Sequence, residues 1–136
     1  MKIIALAGAY NSGKTTVLKQ LVATLVGMGG RLATKVSYGR DERCSILYNG
    51  QVVGVCSGGD DDKTVKGNFR FFSKNGCTVG ITACRSVSEC ASVAAVKTGA
   101  LRLGRQLPYY VGKMREKRTR RIAVDRQTVQ QLIAMI

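Results

Sequence analysis

The segment "KIIALAGAYNSGKTTVLKQLVATLV", residues 2–26, constrains the fold of this 136-residue chain more than any other stretch. Ile3–Ala7 is an unbroken apolar run, the pattern of a strand buried on both faces of a parallel sheet. Val17, Leu18, Leu21, Val22 and Leu25 then recur at helical spacing, which predicts a helix from Gly13 to Val26. Gly27, Gly29 and Gly30 stop it. Between strand and helix lies only the short glycine-bounded turn from Gly8 to Gly13. Such a unit needs a layered α/β architecture, because the strand must be covered on both faces.

The remaining elements continue the alternation. A strand is expected over Leu32–Tyr38. "CSILYNGQVVGVCS" reads as a hairpin, since Asn49-Gly50 suits a two-residue type I′ turn. Asp60–Asp62 open a second helix with Val65, Phe69 and Phe72 on its buried face, and Asn75-Gly76 end it. "CTVGITAC" is a further buried strand, and Ser86-x-x-Glu89 has the form of a capping box before a helix of small residues. "LPYYVGKM" is the last strand candidate. From Asp125, the residues Val129, Leu132, Ile133 and Ile136 form a final helical stripe. The expected fold is one domain over residues 1–136, an α/β three-layer sandwich. Its sheet would be mostly parallel, with about five strands and helices on both faces.

Composition narrows the setting. Hydrophobic residues make up 45% of the chain, as in globular proteins. No apolar stretch approaches the roughly 18 residues of a membrane span, and a cleavable leader would remove the first strand. A cytoplasmic protein without membrane contact is expected. Five cysteines, no histidine and no Cys-x-x-Cys pair argue against zinc, and Cys56 and Cys84 sit in apolar runs as small hydrophobes. The net charge is +14, and over residues 97–126 only Glu116 and Asp125 are acidic.

Gly8-x-x-x-x-Gly13-Lys14-Thr15 is the phosphate-loop spelling, here preceded by a strand and followed by a helix as its mechanism requires. Gly8 and Gly13 let the backbone approach phosphate oxygens without side-chain collision. Free N–H groups at the helix start, reinforced by the helix dipole, would receive a β-phosphate. The expected nucleotide cradle is Gly8, Ala9, Tyr10, Asn11, Ser12, Gly13, Lys14, Thr15 and Thr16. Lys14 would bridge β- and γ-phosphate oxygens, and the Thr15 hydroxyl would ligate Mg²⁺.

Other candidates are placed by topology. Asp60, with Asp61 as its rival, follows the strand end "VVGVCSGG" and is the expected metal-organising carboxylate. Alternatively, Asp60–Asp62 cap the second helix. Asp41 is the next carboxylate, as an acceptor-site group or base. Arg85 directly follows a buried strand, where it would neutralise a transferring phosphoryl group or grip an acceptor phosphate, unless it faces solvent. The run Lys113–Arg121 is open to three readings: a lid over the triphosphate, a nucleic-acid contact with Tyr109 and Tyr110 for stacking, or a solvated loop.

Strand, "GAYNSGKTT" and helix resemble the first βα unit of P-loop NTPases, and the short chain is similar to the small nucleotide kinases. The middle third, from "VVGVCSGGD" to "ITACRS", resembles small bacterial and mobile-element ATP-binding proteins. The resemblance implies a P-loop NTPase fold and a triphosphate, ATP with Mg²⁺ first among them. Lys14, Asp60 and Arg85 would then be catalytic, and a phosphoryl acceptor would be the second substrate. The Asn-Lys-x-Asp run of GTPases is missing. The leading expectation is a nucleotide-kinase-like phosphotransferase; the alternative is a nucleotide-binding regulator or partner-dependent ATPase acting with nucleic acid.

Overall fold

The computed structural model describes residues 1–9, 12–85, 91–104, 106–113, 117 and 120–136. In chain order the elements are β1 (Lys2–Ala7), α1 (Lys14–Gly27), β2 (Arg31–Tyr38), β3 (Asp41–Tyr48), β4 (Gln51–Cys56) and α2 (Asp62–Lys74). They continue with β5 (Val79–Cys84), α3 (Ala91–Gly99) running into a π-helical turn (Ala100–Gly104), β6 (Tyr109–Gly112) and α4 (Arg121–Met135). The proposed capping box at Ser86 and Glu89 lies outside the described residues.

Six strands form one sheet in the order β2-β3-β4-β5-β1-β6. Pairings β4–β5, β5–β1 and β1–β6 are parallel, whereas β2–β3 and β3–β4 are antiparallel. The sheet is therefore mixed, with six strands where about five were expected. The tight turns decide this. Asn49 (φ 49°) and Gly50 (φ 73°) close the β3–β4 hairpin, and two residues between β2 and β3 leave room only for reversal.

Alternation along β1 sends Ile4 and Leu6 to one face and Ile3 and Ala5 to the other, all buried. On the first face α1 and α4 lie side by side, contributing Val17, Leu18, Leu21 and Leu25, and Val129 and Leu132. On the second, α2 and α3 contribute Val65, Phe69, Phe72 and Val96. This gives the expected three layers. Phe72 is closely fitted in the second layer. Gly54 and Gly80 are register partners on β4 and β5, and a Cβ on them would stand 2.5 and 2.7 Å from its ring. The two glycines form a slot that Phe72 fills, with Phe69 edge-on at 5.6 Å. Truncating a ring packed this way costs about 3–5 kcal/mol. β2 is a largely exposed edge, bearing Arg31 and Lys35 that discourage pairing with another chain.

Candidate functional site

Parallel strands β4, β5, β1 and β6 end on one edge of the sheet, and the loops after them meet there. After β1 the chain is pinned from both sides: Gly8 N–H donates to the Cys84 carbonyl at 3.1 Å, and Lys113 N–H donates to the Ala7 carbonyl at 2.7 Å. A Cβ on Gly8 would collide with the Lys113 carbonyl and the Ser12 hydroxyl, so only glycine fits. Gly13, at φ 94°, is left-handed and turns the chain into α1. Among the described residues no side chain caps α1, and no acidic residue lies in its first turn, so its N-terminal N–H groups face the loop. Ser12 Oγ is buried there without a hydrogen-bond partner among the described residues. Ala9 and Thr16 are exposed. Tyr10 and Asn11, expected in the same cradle, lie outside the described residues.

Lys14 is 6% exposed and folds back across this loop. Its ammonium donates to the carbonyls of Gly8 (2.6 Å) and Ala9 (3.1 Å) and to Asp60 Oδ1 (3.0 Å). Arg85 approaches the same oxygen, Nε to Oδ1 3.3 Å, so Asp60 lies between two cations. Arg85 is held in turn by its backbone N–H, which donates to Ser92 Oγ on α3 at 3.1 Å. Three expected residues, Lys14, Asp60 and Arg85, thus converge from the ends of β1, β4 and β5.

Thr15 points elsewhere. Its hydroxyl donates to Asp41 Oδ1 at 3.1 Å, and Ser57 Oγ donates to the same oxygen at 3.1 Å. Ser57 accepts from the Glu42 N–H at 2.9 Å, which fixes the direction of its own proton. Asp41 opens β3, and because β3 runs antiparallel to β4 its first residue lies on the same edge as the strand ends. The carboxylate beside the Thr15 hydroxyl is therefore Asp41 and not Asp60. Asp61 accepts the Thr64 N–H at 2.6 Å as the cap of α2, a bond that lowers its pKa. Asp62 pairs with Lys66 on the next turn at 3.3 Å. Each of the three aspartates has a different task. Among the described residues no three His, Cys, Asp or Glu side chains cluster as metal ligands; the oxygens around Asp41 are hydroxyls.

A buried network braces this pair of loops. The Arg43 guanidinium lies 4.4 Å from the Tyr38 ring centre, and its Nε donates to Asn68 Oδ1 at 2.9 Å. Asn68, fully buried, donates to the Gly58 carbonyl (2.8 Å) and the Thr82 hydroxyl (2.9 Å). Burial pushes the Tyr38 phenol up to about 12. Sequence reading missed Ser57, Tyr38 and Asn68. The signal available was the spacing of Tyr38 and Asp41 around a two-residue turn, which places both at the end of a hairpin.

The basic run divides. Lys113 is 4% exposed and pairs with Asp125 Oδ1 of α4 at 3.3 Å, so it is neither solvated nor free to act as a lid. Lys117, Arg120 and Arg121 are exposed, as are Tyr109 and Tyr110 on β6. Arg118 lies outside the described residues. Among the described residues no helix is long and apolar enough to cross a membrane. No protein-family model, curated protein or solved structure matches this chain.

Proposed function

We propose that this chain binds a nucleoside triphosphate with Mg²⁺ at the loop from Gly8 to Thr15 and acts on its terminal phosphate. The observation that supports this best is the divided chemistry of the first turn of α1. Lys14 gathers oxygens on one side of the loop, and Thr15 shares Asp41 with Ser57 on the other. An ammonium over a ring of uncapped N–H groups suits β- and γ-phosphate oxygens. Hard oxygen donors from two hydroxyls and one carboxylate suit Mg²⁺, which prefers one or two carboxylates and retains water. Thr15 and Asp41 would hold the ion. Bound there, it would neutralise charge on the phosphates.

The protein's own groups have consistent roles in this reading. Asp60 keeps Lys14 and Arg85 poised; an entering phosphate takes its place against Lys14. Arg85 is then available to stabilise charge on the phosphoryl group in transit, or to grip an acceptor phosphate. Ser57, the Asn68 network and Tyr38 hold the β2–β3 turn against the end of β4, so that Asp41 stays beside Thr15. Phosphotransfer to a small acceptor is the leading activity.

A second reading, a nucleotide-dependent protein acting with nucleic acid, draws on the exposed Lys117, Arg120 and Arg121. β6 runs parallel to β1, so the chain leaving β6 starts on the site's edge. ADP release in the presence of candidate acceptors, compared with release in the presence of single-stranded or duplex DNA, separates the two. Acceptor-dependent release supports the first and DNA stimulation the second. Titration calorimetry with Mg-ATP tests the shared premise: the wild type should give a binding heat that Lys14→Ala abolishes, and no such heat would refute both.

A further inference from the structure

A cavity of about 770 Å³ lies between α2 and α3, on the helical layer formed by those two helices. Its floor is apolar: Phe69, Ala95 and Leu103 line it, and Gly99 sits against the Phe69 ring so closely that a Cβ there would stand 2.7 Å away. Its rim is cationic. Arg70 and Lys74 of α2 and Arg102 of the π-helical turn are exposed, and none has an ion-pair partner among the described residues. Lys66 extends the row, with Asp62 beside it as the one acidic lining residue among the described residues.

We infer that this groove is a docking site for an acidic amphipathic helix of a partner protein. Three features carry the choice of occupant. Lys66, Arg70 and Lys74 are spaced four residues apart, one per turn of α2, and so rise by about 6 Å per step. Glutamates at the same four-residue interval on a facing helix match that step. The apolar floor gives such a helix a place for its leucine-type stripe, as in helix-in-groove recognition. Small residues on α3, among them Ala94 and Gly99, allow its backbone to come close.

Other occupants fit less well. Nucleic acid would find charge but no aromatic face to stack on, because Phe69 is only 6% exposed. A second copy of this chain carries 22 basic and 8 acidic residues, and would meet the rim with like charge. The π-helical turn after Gly99 carries Arg102 onto the rim, and irregular turns of this kind are frequent at functional sites. This inference is independent of the nucleotide reading, since none of the groove residues belongs to the Gly8–Thr15 site.

The test uses the full chain and a labelled synthetic helix of 16 residues, with leucines at three- and four-residue spacing and glutamates along both flanks. Fluorescence anisotropy should show saturable binding that weakens with salt. A peptide with every Glu changed to Lys should bind at least tenfold more weakly. Ala94→Trp, at an exposed position that fills the groove, should lower affinity tenfold or more, and Arg70→Glu with Arg102→Glu should do the same. Circular dichroism of each variant checks that the fold persists, and Arg102→Gln provides a milder version. Amide shifts at Phe69, Ala95, Gly99 and Leu103 on peptide addition would support the assignment. Three results would overturn it: no binding, binding that Ala94→Trp leaves unchanged, or a DNA oligonucleotide displacing the peptide from the same residues.

Discussion

The Thr15 hydroxyl and the Asp41 carboxylate, 26 residues apart, share a hydrogen bond of 3.1 Å at the mouth of α1. Asp60 meanwhile is engaged by Lys14 at 3.0 Å and by Arg85 at 3.3 Å. On the proposed reading, this division gives the metal-facing role to Asp41. Asp41→Asn should leave nucleotide affinity without metal nearly unchanged and reduce the Mg²⁺-dependent gain at least tenfold. Asp60→Asn should keep that gain, and by releasing Lys14 it should not weaken metal-free binding. Calorimetry with and without Mg²⁺ reads both. If Asp60→Asn alone abolishes the gain, the metal role belongs to Asp60.

Lys14→Ala should lower triphosphate affinity ten- to a hundredfold, the scale of about 1.5–3 kcal/mol for a charged hydrogen-bonding group. The fold should survive, because Asp60 keeps Arg85 as a partner and is not left as a lone charge. A melting temperature within a few degrees of the wild type, with nucleotide binding lost, is the expected outcome. Unchanged binding would remove the loop from the nucleotide site.

Lys113 and Asp125 are each 2% exposed in their side chains, at a separation of 3.3 Å. Asp125→Ala leaves a buried lysine without its carboxylate and should cost about 3–5 kcal/mol in urea unfolding. Replacing both, Lys113→Met with Asp125→Leu, should recover most of that loss. A cost below about 1 kcal/mol for the single change would contradict burial of this ion pair.

Alkaline stability follows from two buried thiols and one half-buried phenol. Burial raises the Tyr38 phenol to about 12 and the Cys44 and Cys77 thiols to about 11. Each group is neutral in the fold at a pH where the unfolded chain has already ionised it. The stabilisation is complete below the ordinary thiol and phenol values and is lost as pH rises from 9 to 12. The urea midpoint should fall across that window. Tyr38→Phe should flatten the part above pH 10. At pH 8 the buried Cys44, Cys56 and Cys77 should react with a thiol reagent far more slowly in native than in unfolded protein.

The elements that could be read from sequence are those whose cause is local. Ile3–Ala7 declares a buried strand by composition, Gly13 supplies the left-handed residue the turn requires, and Asn49-Gly50 closes a hairpin by its own torsional preference. The face of α2 is legible too, because Val65, Phe69 and Phe72 mark one side of a 3.6-residue period. Those signals give three layers and a glycine loop at a helix start. They do not give strand order or direction, which depend on pairing between segments far apart in the chain. The antiparallel β2-β3-β4 edge is what carries Asp41 beside Thr15; the spacing in "SYGRDE" can mark a turn, but not that β3 pairs with β4 and so meets the start of α1. Lys113 makes the same point within a basic run. By composition it belongs with the exposed Lys117, Arg120 and Arg121; only the docking of α4 brings Asp125 to it, and a lysine is buried only where tertiary structure supplies the opposite charge.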